Sequence, residues 1–175
     1  MNKSVIRAIV AEDMDEILRI MKINMISYYE LRNEAWNEPN LKRYFLSKTG
    51  VSVKKQCEIV GFSFYEKIRD VIHIHTLQVA PGFQNKTVGG QLFQWYLAML
   101  KTSACKTLTC SVYESNPAYG MYQRLGFETL GVSEGIVQLS LPAQRSRLKT
   151  GDYDQLYNSY TCLYFHAWQI HKCHI

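Results

Sequence analysis

A chain of 175 residues with 47% hydrophobic and 20% charged residues can bury one sizeable core and is too apolar for a disordered protein. Its net charge of +5 is scattered, with Lys54-Lys55, Arg145 and Arg147 the nearest approach to a cluster, so no nucleic-acid partner is expected. No segment approaches the ~20 apolar residues of a bilayer span, the N-terminus has no signal-like run, and five cysteines lack a Cys-x-x-Cys pair; a cytoplasmic protein with reduced thiols and no membrane partner is expected.

In chain order, Val5 to Ile9 reads as a strand. Asp13 then caps a helix whose Met14, Ile17, Leu18, Met21 and Met25 recur at helical spacing. A shorter helix after Pro39 carries Leu41, Tyr44 and Phe45. From Val51 the period changes to two: residues 51–53 and 59–65 form a hairpin, and Val71 to Val79 adds a third strand. Val88 to Lys101 returns to helical period, Thr107 to Val112 is a strand, Tyr119–Leu125 a short helix, and residues 127–133 and 136–141 a closing hairpin. The order predicts one mixed α/β domain over residues 1–142.

Residues 143–175 change character, with Tyr153, Tyr157, Tyr160, Tyr164, Phe165 and Trp168. Leu156, Tyr160, Leu163 and Ala167 can share a helix face, and Tyr157, Tyr164 and Trp168 another, although Tyr and Phe also suit a strand. Such a segment needs burial, on the domain or at a homodimer interface. His166, His171, Cys173 and His174 match no standard ligand set, so no metal is expected.

The strand ending His73-Ile74-His75-Thr76-Leu77-Gln78-Val79-Ala80-Pro81 runs into the polar loop Gly82-Phe83-Gln84-Asn85-Lys86-Thr87, and the loop opens a helix at Val88-Gly89-Gly90. Such a junction leaves backbone N–H groups unpaired at the positive end of a helix dipole, which suits an anion such as a pyrophosphate. At period two His73, His75, Leu77 and Val79 share one sheet face, so two imidazoles that titrate near neutrality stand in line with the anion site. Both could equally be buried sheet residues bonded to neighbours. Tyr28, Tyr29, Trp36 and Tyr44 could line an aromatic pocket or simply pack in the core. Cys110 reads as a small core residue.

Two motifs in this order resemble those of the GNAT superfamily of acetyl-CoA-dependent N-acetyltransferases. Gln84-Asn85-Lys86-Thr87-Val88-Gly89-Gly90 is similar to the family's Gln/Arg-x-x-Gly-x-Gly/Ala, and Asn116-Pro117-Ala118-Tyr119-Gly120-Met121-Tyr122-Gln123-Arg124-Leu125-Gly126-Phe127 to its Asn-x-x-Ala-x-x-x-Tyr-x-x-x-Gly-Phe region. The likeness covers residues 4–141. It implies a mostly antiparallel sheet of about seven strands flanked by about four helices, with the aromatic segment as a C-terminal extension. It also implies acetyl transfer from acetyl-CoA to a primary amine, a small molecule being the expected acceptor, by direct attack in a ternary complex.

The resemblance further implies that Gln84, Asn85, Lys86, Thr87, Val88, Gly89 and Gly90 cradle the pyrophosphate. Leu77, Gln78 and Val79 would meet the pantetheine arm as an added strand would, joined by Asn116 and Tyr119. Tyr122 would face the thioester sulfur as general acid, its pKa of ~10 lying near that of a departing thiolate. His73-x-His75-x-Leu77-x-Val79 resembles the strand of arylalkylamine N-acetyltransferases and implies that the histidines supply the base. Asn116 could also cap the helix that Pro117 begins. Thr87 stands where the family has Gly, and a β-branched residue there implies an ordinary φ or strain. That departure leaves a second expectation: a catalytically weak acyl-CoA-binding or sensor module of the same fold.

Overall fold

The computed structural model describes residues 5–84 and 87–145. The elements are β1 (Val5–Ala8), α1 (Met14–Leu31), α2 (Glu38–Leu46), β2 (Thr49–Lys55), β3 (Glu58–Ile68), β4 (Val71–Val79), α3 (Val88–Thr102), β5 (Thr107–Tyr113), α4 (Ala118–Arg124), β6 (Glu128–Ser133) and β7 (Ile136–Pro142). The seven strands form one sheet in the order β1-β2-β3-β4-β5-β7-β6. The protein therefore has the GNAT fold that its motifs imply. The expected C-terminal extension, its aromatic faces and its possible metal ligands lie outside the described residues from 146 onward.

Every neighbouring pair in the sheet is antiparallel except β4 and β5. That exception follows from the connection, because only a crossover as long as α3 returns the chain to run parallel beside its own strand. Two hairpins close with two-residue turns at positive φ, Gln56-Cys57 (51° and 72°) and Glu134-Gly135 (52° and 73°), the hand that matches strand twist. The sheet parts two apolar layers. On one side Leu92, Phe93, Tyr96 and Leu97 of α3 and Met121 and Tyr122 of α4 pack on the sheet. On the other, Met14, Ile17, Met21 and Met25 of α1 and Leu41 and Phe45 of α2 cover Phe62 and Phe64.

Asp13 stands at the N-cap of α1 as expected, but its side chain makes no capping hydrogen bond. Its carboxylate turns back to accept the Val10 N–H at 3.1 Å and pairs with Arg7 at 2.6 Å and Lys54 at 3.1 Å, tying β1, β2 and the helix entry together. Burial alone would raise this carboxyl's pKa, but the Val10 amide, Lys54 and Arg7 outweigh it and hold the group below the usual range.

Candidate active site

Parallel pairing of β4 with β5 runs only from Val71↔Thr107 to Ile74↔Cys110. From His75 onward β4 has no strand partner on its β5 side among the described residues, so the sheet opens into a gap at its centre. A β-bulge sits at the mouth of this gap. Phe64 faces Thr76 and Tyr65 faces Ile74, leaving His75 as the extra residue of β4.

The bulge overturns the expectation that His73, His75, Leu77 and Val79 share one face. One inserted residue reverses the alternation beyond it. Leu77 and Val79 join Ile72 and Ile74 in the layer beneath α3 and α4. The histidines face the other side, where the His75 ring lies 5.5 Å from that of Tyr44 on α2. The gap thus has two walls of different chemistry.

On the α1/α2 side, His75 is only 3% exposed. Its Nδ1 lies 2.8 Å from the Tyr44 hydroxyl. Its Nε2 stands 3.0 Å from Glu66 Oε1, an ion-pair approach rather than a straight hydrogen bond. The second oxygen of Glu66 accepts from Lys48 Nζ at 2.7 Å. His73 makes a 2.9 Å contact from Nδ1 to the Thr109 hydroxyl on β5, and the two imidazole rings are 4.8 Å apart. Burial, then repulsion from His73 and Lys48, pushes the His75 pKa down to about 4 against the pull of Glu66. Burial also lowers that of His73. Both imidazoles are therefore neutral at physiological pH.

Farther along the gap, Asn24 of α1 donates Nδ2 to the Val79 carbonyl at 3.0 Å and to the Gln78 side chain at 2.9 Å. The Gln78 side chain thus points toward α1. Gln84 approaches both Asn24 Oδ1 and the Val79 carbonyl at 3.4 Å. Of the four aromatic residues considered for a pocket, Tyr29 is buried against Trp36, while Tyr28 stacks on Tyr113 of β5 at 4.9 Å. Tyr44 contacts a candidate catalytic side chain, that of His75.

At the far end, Thr87 has an ordinary helical φ of −64°, so its β-branch costs no backbone strain. The first rung of α3 is Gln91 N–H to the Thr87 carbonyl at 2.9 Å, which leaves the amides of Val88, Gly89 and Gly90 ahead of the helical ladder. Gly61 on β3 lets this end of α3 approach closely: a Cβ there would stand 2.5 Å from Val88 Cγ1 and 3.2 Å from the Gln78 carbonyl. Asn85 and Lys86 lie outside the described residues.

On the α3/α4 side, Tyr122 is fully buried with its ring 5.2 Å from Phe127, in the same apolar layer as Leu77 and Val79. Asn116 Oδ1 accepts the Ala118 N–H at 2.8 Å, but α4 begins at Ala118 with Pro117, not Asn116, as its N-cap residue. Tyr119 turns toward β6, its hydroxyl 3.0 Å from that of Thr129. Cys110 is buried, which pushes its thiol pKa up and leaves it without thiolate character.

A parallel strand pair that parts at its centre, with the amide-bearing start of α3 at the parting, accords with an acyltransferase of the α/β class, and the family match makes the chain one. The chain belongs to the acetyltransferase (GNAT) family, whose model matches residues 12–127. Over 128 residues it is 24% identical to the [ribosomal protein bS18]-alanine N-acetyltransferase of Haemophilus influenzae, covering 68% of this chain and 85% of that one. Its fold is similar to that of the PaiA N-acetyltransferase of Thermoplasma acidophilum, crystallised with coenzyme A. There the TM-score is 0.68 and the identity 14%, over 80% of this chain and 99% of the other. The ribosomal-protein-S18-alanine N-acetyltransferase of Escherichia coli gives a TM-score of 0.65 and 18% identity over 81% and 94%.

Proposed function

We propose that the protein transfers an acetyl group from acetyl-CoA to a primary amine, both bound at once in the gap between β4 and β5. The observation that carries this reading is the end of strand pairing at Ile74↔Cys110, directly beside the His75 bulge. Beyond Ile74, where its pairing with β5 ends, the β4 edge suits the amide-rich pantetheine arm, which would lie along Leu77, Gln78 and Val79. The amides ahead of the α3 ladder, in the 84–90 segment, suit its pyrophosphate, with Asn116 and Tyr119 flanking the arm. The donor supplies a thioester. His73 and His75, neutral and on the α1/α2 side, provide the base. Tyr122, on the α3/α4 side, returns a proton to the leaving thiolate.

The normal φ of Thr87 removes the strain that motivated a weak, sensor-like module and favours a working enzyme. Residues 1–142 are the proposed transfer domain, working in a reducing, cytoplasmic setting; Cys57, Cys105 and Cys110 are free thiols. For the acceptor we favour a small amine reaching the gap past Tyr28 and Tyr44. A protein α-amine is the second reading, carried by the name of the Haemophilus influenzae relative.

The test is coenzyme A release with 2-phenylethylamine and with a peptide beginning in alanine, in wild type and Tyr122→Phe. Release is expected with at least one amine, falling about 100-fold in the variant while acetyl-CoA binding by calorimetry is unchanged. Equal rates in the two proteins would remove Tyr122 from the chemistry, and release with neither amine would contradict the proposed reaction.

A further inference from the structure

His75 is placed to be a base yet closed to direct contact with an acceptor. It is 3% exposed, and both ring nitrogens face partners, Nδ1 the Tyr44 hydroxyl at 2.8 Å and Nε2 the Glu66 carboxylate at 3.0 Å. The identity of those partners favours one tautomer. A carboxylate held by Lys48 and standing 3.0 Å from Nε2 attracts the ring proton to that nitrogen, the tautomer the relay requires, with the Nδ1 lone pair left to the Tyr44 O–H. Tyr44 on α2 is half-buried, so it is more accessible than the His75 ring it contacts.

Building on the acetyl transfer proposed above, we propose that Tyr44 is the group that takes the acceptor's proton, and that Glu66 is the positioning residue that makes this relay run. The ammonium N–H bond breaks as its proton moves to the Tyr44 oxygen. The hydroxyl proton of Tyr44 moves in the same event to His75 Nδ1. The amine is left with its lone pair, Tyr44 is again a neutral phenol, and the positive charge rests on a His75 imidazolium beside the Glu66 carboxylate. No phenolate is formed, which matters because a tyrosine hydroxyl alone is a poor proton acceptor near neutrality. Lys48 keeps Glu66 ionised and in place, and its Nζ lies 5.2 Å from the Tyr44 ring centroid, fixing the two ends of the relay relative to each other.

The charged and titratable groups facing His75 are Glu66 from β3, Lys48 from the α2–β2 connection, Tyr44 from α2 and His73 from β4 itself. His73 is bound differently, through Thr109 of β5, and has no carboxylate within ion-pair distance among the described residues. It is the other imidazole of the proposed base, its ring 4.8 Å from that of His75, and takes no proton from Tyr44.

The relay has a kinetic signature that a packing role lacks. It is needed only while the acceptor carries a proton to be removed. In Tyr44→Phe and in Glu66→Gln, coenzyme A release from 2-phenylethylamine at pH 7 should fall about 100-fold with the acetyl-CoA KM unchanged. The deficit should shrink to within about threefold near pH 10, where the amine is largely neutral by itself. An equal deficit at both pH values would make the two residues structural and overturn the relay. The arrangement is also read without turnover, from the 15N shifts of His75 in wild type. An Nε2–H tautomer whose Nδ1 signal moves in Tyr44→Phe is expected, and an Nδ1–H tautomer would overturn the proposal. Coenzyme A release from the alanine peptide instead keeps the relay in force with the same pH comparison. Release with neither amine despite the expected tautomer would sink the acetyl-transfer reading, and the relay with it.

Discussion

At the scale of single residues, burial keeps the His75 imidazole uncharged in the resting protein. Its pKa of about 4 lies below the ordinary 6.5, so the unfolded chain takes up this proton at higher pH than the folded one. The resulting stability is fully present above pH 6.5 and is lost as pH falls from there through about 4. Wild type should therefore lose on the order of 1–3 kcal/mol more than His75→Gln between pH 7 and pH 4.5, measured by urea unfolding. Parallel stability profiles for the two proteins would show that burial does not hold the imidazole neutral. Tyr122, Asn116 and the two histidines are legible in the sequence because each belongs to a local pattern. Glu66, Lys48, Asn24 and Thr109 are not, because their partners lie on other elements. Glu66 meets His75 only because a hairpin folds β3 onto β4, and no spacing along the chain announces that contact.

At the scale of elements, the hydrophobic periods identify all seven strands and four helices, with β4 read at its observed bounds of Val71–Val79. What period cannot reveal is the bulge at His75, since a strand with one extra residue alternates as well as any other until its partner is known. That single residue sends the histidines to one face and Leu77 and Val79 to the other, so base and acid approach the gap from opposite sides. The entry of α3 depends in turn on Gly61. Gly61→Ala would push a methyl into Val88 and against the Gln78 carbonyl, and neither a β-branched side chain nor backbone yields easily. We expect a loss of about 1–3 kcal/mol in stability, with weaker acetyl-CoA binding by calorimetry as the amides ahead of the α3 ladder shift. Adding Val88→Ala should recover a large part of both losses. A fully stable Gly61→Ala variant with normal binding would show that the close approach is not what sets the helix entry.

For the whole molecule, the α1/α2 layer and the α3/α4 layer cover opposite faces of a sheet that opens between β4 and β5, and in the proposed reaction that opening would let two substrates react without a covalent acyl-enzyme. In the proposed reaction the donor's arm would extend the sheet edge, and the acceptor would enter from the side of Tyr28 and Tyr44. The buried Cys110, its thiol pKa raised, offers no nucleophile for a two-step route. The central claim is that both reactants occupy the gap together. The direct measurement is the initial velocity of coenzyme A release while acetyl-CoA and the amine are varied against each other. Intersecting double-reciprocal lines, with release that requires the amine, are predicted. Parallel lines, or release that proceeds without amine, would contradict the account.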